Sequence, residues 1–497
     1  MEHNLYFEAL RPYLEKRKRL RYLTNLIYYD IATAAPKRSI EDESDLLAFY
    51  DASIASIAQE TSYKNLVKRG LGEKNLTSYE KRLFDVLYDE ISLMEKVSLS
   101  DYTSAKKAFS KSVEMWRIYR QKNDFEHWLP YWKECVKWAR TLAKARMKAG
   151  MKSPYDALLD SYEPGETAEY LDEIFLPIKK AIIKLLPMAI SKQAAHPLPP
   201  IKPYSIGSQV SLSYDLLDLI RYDKEGGCLK ISAHPFSADI YRYDARLTSK
   251  YSVEDYRSNL FTILHEGGHC LQFQNKSQEE YNNFVENLAT AANCETHSRF
   301  YENFIGRSEE FTPFIKKLVE KNLDPGFQYM SDEDFYLSLN RVEPGLIRCD
   351  ADELTYSLHI IIRYEIERDL INGKIECEEV PQIWKDKYKA YLGVGVDSFQ
   401  NGCMQDIHWS DAEFGYFPSY ALGNVYGAMI REKMSEEIGF LDLIREAKMD
   451  EILSWFREYD FAYDYLSPRS WIKKVTGKEA SPTAFVTYLN NKFGKMR

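Results

Sequence analysis

The segment from Phe261 to Asn275 reads FTILHEGGHCLQFQN. His265 and His269 stand four residues apart, so on a helix both imidazoles leave one face about a turn apart. Glu266 follows the first histidine, displaced round the axis but within reach of a water on a shared metal. This is the HExxH pattern, in which two neutral nitrogens ligate zinc and a carboxylate serves as base. A structural helix with two satisfied histidines would carry the same five residues. Gly267 and Gly268 argue against that reading, because each glycine costs a helix about 1 kcal/mol relative to alanine. A substrate or metal that needs the backbone to come close supplies a reason for them.

A catalytic zinc takes three protein ligands and keeps one position open. The metzincin pattern would need glycine at 272 and histidine at 275, where this chain has Gln272 and Asn275. The alternative is a glutamate on the next helix: Glu279, Glu280, Glu286, Glu295 or Glu302. Ser277 with Glu280 forms a capping-box pattern, which places 279 and 280 at a helix start. Spacing leaves Glu286, Glu295 and Glu302 open.

The elements that must position these residues are mostly helical. Tyr13 to Leu26, Lys81 to Glu95, Phe335 to Leu339 and Ala351 to Asn372 carry apolar residues at three- and four-residue spacing, and Gly373 stops the last. Leu186 to Pro203 contains five prolines and cannot be one continuous helix; it reads as a rigid crossing within a single domain spanning 1–497. Cys228 to Ala233 alternates after Gly226-Gly227, and Asp244 to Tyr251 is a second strand candidate. The expectation is a mainly α protein with a small antiparallel sheet beside the HExxH helix.

The whole chain has 497 residues, 45% hydrophobic and 28% charged, with 37 Tyr and 24 Phe, which excludes wholesale disorder and fibrous folds. The formal net charge of -9 disfavours nucleic acid as a partner. No apolar run approaches the roughly 18 to 20 residues of a membrane span, and Met1 to Leu23 lacks the apolar core of a leader peptide. Seven cysteines, odd in number and without CxxC spacing, point to free thiols in the cytoplasm.

Over nearly its whole length the sequence resembles the thermostable carboxypeptidase family of zinc metallopeptidases, peptidase family M32. Five motifs occur in order: Asp244-Ala-Arg246-Leu-Thr248 (DxRxT), His265 to His269 (HExxH), Asn293 to Arg299 where the family has HES, Ile347-Arg348-Cys349-Asp350-Ala351-Asp352 (IRxxAD), and Gly402 to Trp409 (GxxQDxHW). His234-Pro-Phe236, Tyr155 to Asp160 and Gly415 to Tyr420 are supporting matches. The family's HES is Cys294-Glu295-Thr296 here, so the hydroxyl type is kept and the histidine is lost. The resemblance implies a saddle-shaped helical fold with a deep groove and a homodimer. It makes Glu295 the third zinc ligand and implies one zinc per chain, with cobalt or manganese able to fit similar ligands.

On this reading zinc lowers the pKa of water toward about 7, Glu266 is the general base, and His408 and Tyr420 stabilise the oxyanion. Arg348 is assigned to the substrate's C-terminal carboxylate, for which arginine is the natural bidentate partner; the competing role is an ion pair with Asp350 or Asp352. Arg246, flanked by Asp244, faces substrate or supports the sheet through a salt bridge. His234 faces the substrate or is a satisfied histidine. Substrate backbone would pair with the sheet edge. The activity expected is removal of single C-terminal residues from free-ended peptides with broad specificity. An oligopeptidase cutting internal bonds or releasing dipeptides is the alternative within the enzyme class. A non-catalytic metal-stabilised binding protein would require loss of Glu266 or a fourth protein ligand.

Overall fold

The computed structural model describes residues 4–495. Residues 1–3, at the start of the charged N-terminal stretch, and 496–497 lie outside it. The chain is mainly helical, and seven helices bear on the site: α1 (Leu5–Thr33), α2 (Ser78–Lys96), α3 (Ala168–Ala195), α4 (Tyr256–Gln274), α5 (Ala291–Arg299), α6 (Glu353–Ile371) and α7 (Phe417–Ile438). Three short strands, β1 (Leu229–Ile231), β2 (Ser237–Tyr241) and β3 (Asp244–Ser249), form the sheet. Among the described residues no helix is long and apolar enough to cross a membrane.

Two sequence expectations change. The sheet is mixed rather than antiparallel: its order is β1-β3-β2, with β1 parallel and β2 antiparallel to β3. The sequence reading located β1 and β3 but not β2, a five-residue strand (SADIY) that begins two positions after Pro235. The helix break near the prolines also falls later than expected. α3 runs through Pro177 and Pro187 to Ala195, and only 196–205 are without helix. Both prolines lie on the exposed side, where the carbonyls of Glu173 and Ile183, which each loses its N–H partner, can turn to water.

The crossing does not separate two cores. One buried cluster takes in Ile182 and Leu186 before it and Leu212 and Leu216 after it, and continues through α4, α6 and α7. A smaller cluster packs Phe7, Leu10 and Leu14 of α1 against Phe84 and Leu87 of α2 and against Phe284 and Val285. α1 also lies against β2, so the N-terminal helices flank the sheet edge.

Candidate metal centre

α4 begins at Asp255, whose side chain accepts from the Arg257 amide, and buries most of its length between the sheet and α5. His265, His269 and Glu295 each offer a ligand atom within 4.8 Å of the others. The His265 Nε2 lies 3.7 Å and the His269 Nε2 3.9 Å from the Glu295 carboxylate. Tetrahedral donors at about 2.0–2.1 Å from one ion stand about 3.3–3.5 Å apart, so this set suits one small divalent ion once the three side chains draw together. Ser298 Oγ donates to Glu295 Oε2 at 3.1 Å.

The other glutamates named by spacing are occupied elsewhere. Glu280 closes a capping box with Ser277, as the sequence indicated. Glu286 pairs with Lys18 of α1 at 3.1 Å. Glu302 lies behind the site, on a π-helical segment (Phe300–Gly306) that follows α5, with its Oε2 3.0 Å from His265 Nδ1. That contact turns Nε2 toward the shared point, the usual role of a carboxylate behind a ligating histidine. Burial would raise the Glu302 carboxyl, but Arg299 at 2.8 Å, His265 and Arg307 hold it well below the usual carboxylate range. His297 is turned away and contacts Asp460 at 2.8 Å. Cys294 is outside the ligand cluster, and burial pushes its thiol up to about 12.

Glu266 is buried beside the cluster, and desolvation pushes its carboxyl up to about 7, against the pull of His265 and of the Ser237 hydroxyl on β2. The two glycines after it serve helix packing rather than a substrate. A Cβ on Gly268 would stand 2.7 Å from the His297 carbonyl oxygen and 2.9 Å from the Ser298 Cα. Gly423 of α7 meets Glu295 in the same way, with its Cβ position 2.8 Å from the Glu295 Cβ. Three backbones therefore converge on the ligand set. Gly268→Ala is expected to destabilise the fold by about 1–3 kcal/mol, despite the gain in helix propensity, and to weaken metal retention. Thermal melts and metal content of the purified variant check both; an unchanged melt would show that α4 and α5 can separate without loss.

Glu163 fastens α5 to α7 from behind, accepting from the Ala292 amide at 2.7 Å and from Ser419 Oγ at 2.6 Å. Burial pushes its carboxyl up to about 8.

Arg348 pairs with neither Asp350 nor Asp352. Its Nε donates to Asp406 at 3.0 Å and its backbone amide to Gln405 Oε1 at 2.9 Å, so two distant motifs meet there. Arg363, fully buried on α6 and missed in the sequence, holds the other Asp406 oxygen at 2.7 Å. The Arg348 guanidinium lies 5.0 Å from the Tyr420 ring, and its Nη1 is 3.4 Å from the Tyr356 hydroxyl. Tyr356 also lies under Arg299, 3.8 Å from guanidinium carbon to ring centre. His408 sits among Tyr416, Phe417 and Tyr420, and burial together with Arg348 pulls its imidazole down to about 3. Tyr416 and Tyr420 both lie close enough to Glu295 to feel its charge. Arg246 is clamped to Asp244 by two 2.7 Å contacts within β3. His234 is exposed in the bend between β1 and β2, and its ring makes no hydrogen bond among the described residues.

A helical molecule with a small edge-exposed sheet, an HExxH helix and a glutamate from the next helix has the layout of a metallopeptidase. The family model of the carboxypeptidase Taq (M32) metallopeptidases matches residues 9–493. Carboxypeptidase 1 of Bacillus subtilis is 32% identical over 100% of this chain and 99% of its own length. Thermostable carboxypeptidase 1 of Thermus thermophilus is 34% identical over 78% of each chain. The solved structure of Trypanosoma cruzi metallocarboxypeptidase 1 superimposes with a TM-score of 0.92 at 30% identity, covering 98% of this chain and 99% of that one. The chain belongs to the M32 family of metallocarboxypeptidases.

Proposed function

We propose that this metallocarboxypeptidase uses one zinc ion, held by His265, His269 and Glu295, to remove single residues of broad type from free peptide C-termini. The observation that carries the reading is the three-donor cluster with Glu266 beside it and Arg348 close enough to Arg299 for their charges to interact. When bound, the ion supplies a Lewis acid for the scissile carbonyl and lowers the pKa of water. Glu266 takes a proton from the attacking water and passes it to the leaving amine. His408 is neutral at pH 7, so one ring nitrogen can donate to the developing oxyanion; its Nδ1 is buried without a hydrogen-bond partner among the described residues. Tyr420 adds a hydroxyl from α7. Arg348, fixed through Nε by Asp406, keeps Nη2 without a partner among the described residues and can present it to the substrate carboxylate. Arg246 supports the sheet, and His234 is free to meet substrate.

The chain is read as one domain, working as a homodimer in the cytoplasm without nucleic-acid or membrane partners. The homodimer follows the family resemblance. The net charge of -9 and seven free cysteines support the rest.

Time-resolved mass spectrometry of a mixed-sequence peptide tests the activity, with protein zinc-loaded or chelator-stripped. A ladder of single C-terminal losses only with metal is the expected result; internal fragments would favour the oligopeptidase. Arg348→Ala is expected to lower kcat/KM on free-ended peptides by roughly 10- to 100-fold, the loss of one charge-assisted hydrogen bond, without affecting amidated ones. An equal loss on both would make Arg348 a structural partner of Asp406.

A further inference from the structure

A cleft of about 310 Å³ opens between α1, α2 and β2. Its charges are matched with one exception. Arg17 donates to Glu90 and to the Tyr63 hydroxyl, each at 2.7 Å. Lys18 pairs with Glu286 at 3.1 Å, and Asp239 with Lys276 at 2.7 Å. The guanidinium of Arg21, one turn beyond Arg17 on the same face of α1, makes no hydrogen bond or ion pair among the described residues and reaches solvent. Glu90 and Glu286 act on it only through space, and Arg17 repels it.

β2 joins this cleft to the metal centre. The strand is the sheet edge; it starts at Ser237, beside Glu266, and ends at Tyr241, which lines the cleft about 13 Å further on at the usual strand rise. Its inner edge is bonded to β3 through the Phe236 carbonyl and the Thr248 amide. On its outer edge the Asp239 carbonyl accepts from Asn25 of α1 at 2.9 Å. A peptide with its carboxylate at Arg348 and its scissile carbonyl at Glu266 extends its upstream residues along this edge. At Asp239 the edge is capped, and the chain is turned off the strand toward the cleft.

We propose that this cleft is an upstream subsite for an acidic substrate side chain, with Arg21 as the carboxylate-binding residue. The proposal rests on the carboxypeptidase reading above. One residue of substrate passes each residue of β2 as far as Asp239 and one or two more cross into the cleft, so the acidic position falls about four residues before the scissile bond, with the third to sixth as the range to search. A guanidinium with no protein partner meets a carboxylate through two parallel hydrogen bonds, and the remaining charges of the cleft need not rearrange.

The test is steady-state kinetics on ten-residue peptides that share one C-terminal residue. Each carries Asp, Glu, Ala or Lys at a single position from third to sixth upstream. The zinc-loaded enzyme is expected to prefer an acidic residue at one of these positions over alanine by about five- to tenfold in kcat/KM, mostly through KM, and to disfavour lysine there. Arg21→Ala should abolish the preference while shortening the all-alanine peptide at the parent rate, and Arg21→Glu should reverse it toward lysine. Equal rates across the series for the parent enzyme, or a preference that survives in Arg21→Ala, overturn the subsite. If no peptide of the series is shortened, the carboxypeptidase reading fails and the subsite with it; shortening without discrimination removes the subsite alone.

Discussion

Glu266→Gln is expected to lower kcat by roughly 10³- to 10⁴-fold, about 4–5.5 kcal/mol of barrier, while bound metal stays at the level of the parent protein. The amide matches the carboxylate in shape but accepts no proton. None of the three donors is touched, since His265 is oriented by Glu302, His269 is on the next turn of α4 and Glu295 is on α5. The Ser237 hydroxyl beside Glu266 can contact either side chain. Single-turnover rates together with metal content separate the two effects. Near-normal turnover at full metal occupancy would take the general-base role away from Glu266; loss of metal with activity would make it part of the binding set.

Glu295→Ala is expected to weaken metal retention by more than about 100-fold, beyond what loss of a carboxylate behind a ligand does, and to abolish activity with it. The fold should survive. Gly423 packs against the Glu295 backbone and Cβ, which alanine keeps, and Arg299 retains its contact with Glu302. Metal stoichiometry after dialysis against a chelator is the readout, with circular dichroism as the control. Glu302→Gln supplies the contrast: it removes the charge behind His265 and should weaken binding only about 10- to 100-fold. Full occupancy in Glu295→Ala would exclude it as a ligand. Glu286 and His297 are poor replacements, because each is engaged with another side chain, Lys18 and Asp460.

The readable parts of this site were those whose geometry is local. His265, Glu266 and His269 lie within five residues of one helix, and 3.6 residues per turn fixes how they face. The Ser277–Glu280 capping box and the stop at Gly373 are equally local. Choosing Glu295 over Glu286 and Glu302 needed the motif order, since spacing constrains nothing once a loop intervenes. Arg348 was singled out by its motif, but its partner, Asp406, is 58 residues away and no periodicity connects them.

The sequence by itself thus determined the metal motif, the helical class and the family, because these depend on residue types at short, regular spacing. Tertiary structure alone decided that Glu302 stands behind His265, that Asp406 is shared by Arg348 and Arg363, and that Gly268 and Gly423 let α4 and α7 close on α5. It also decided that β1 runs parallel to β3 and that Pro187 stays inside a helix. Each of these depends on which surface a residue meets after the chain has closed on itself, and that is set by packing between segments far apart in sequence.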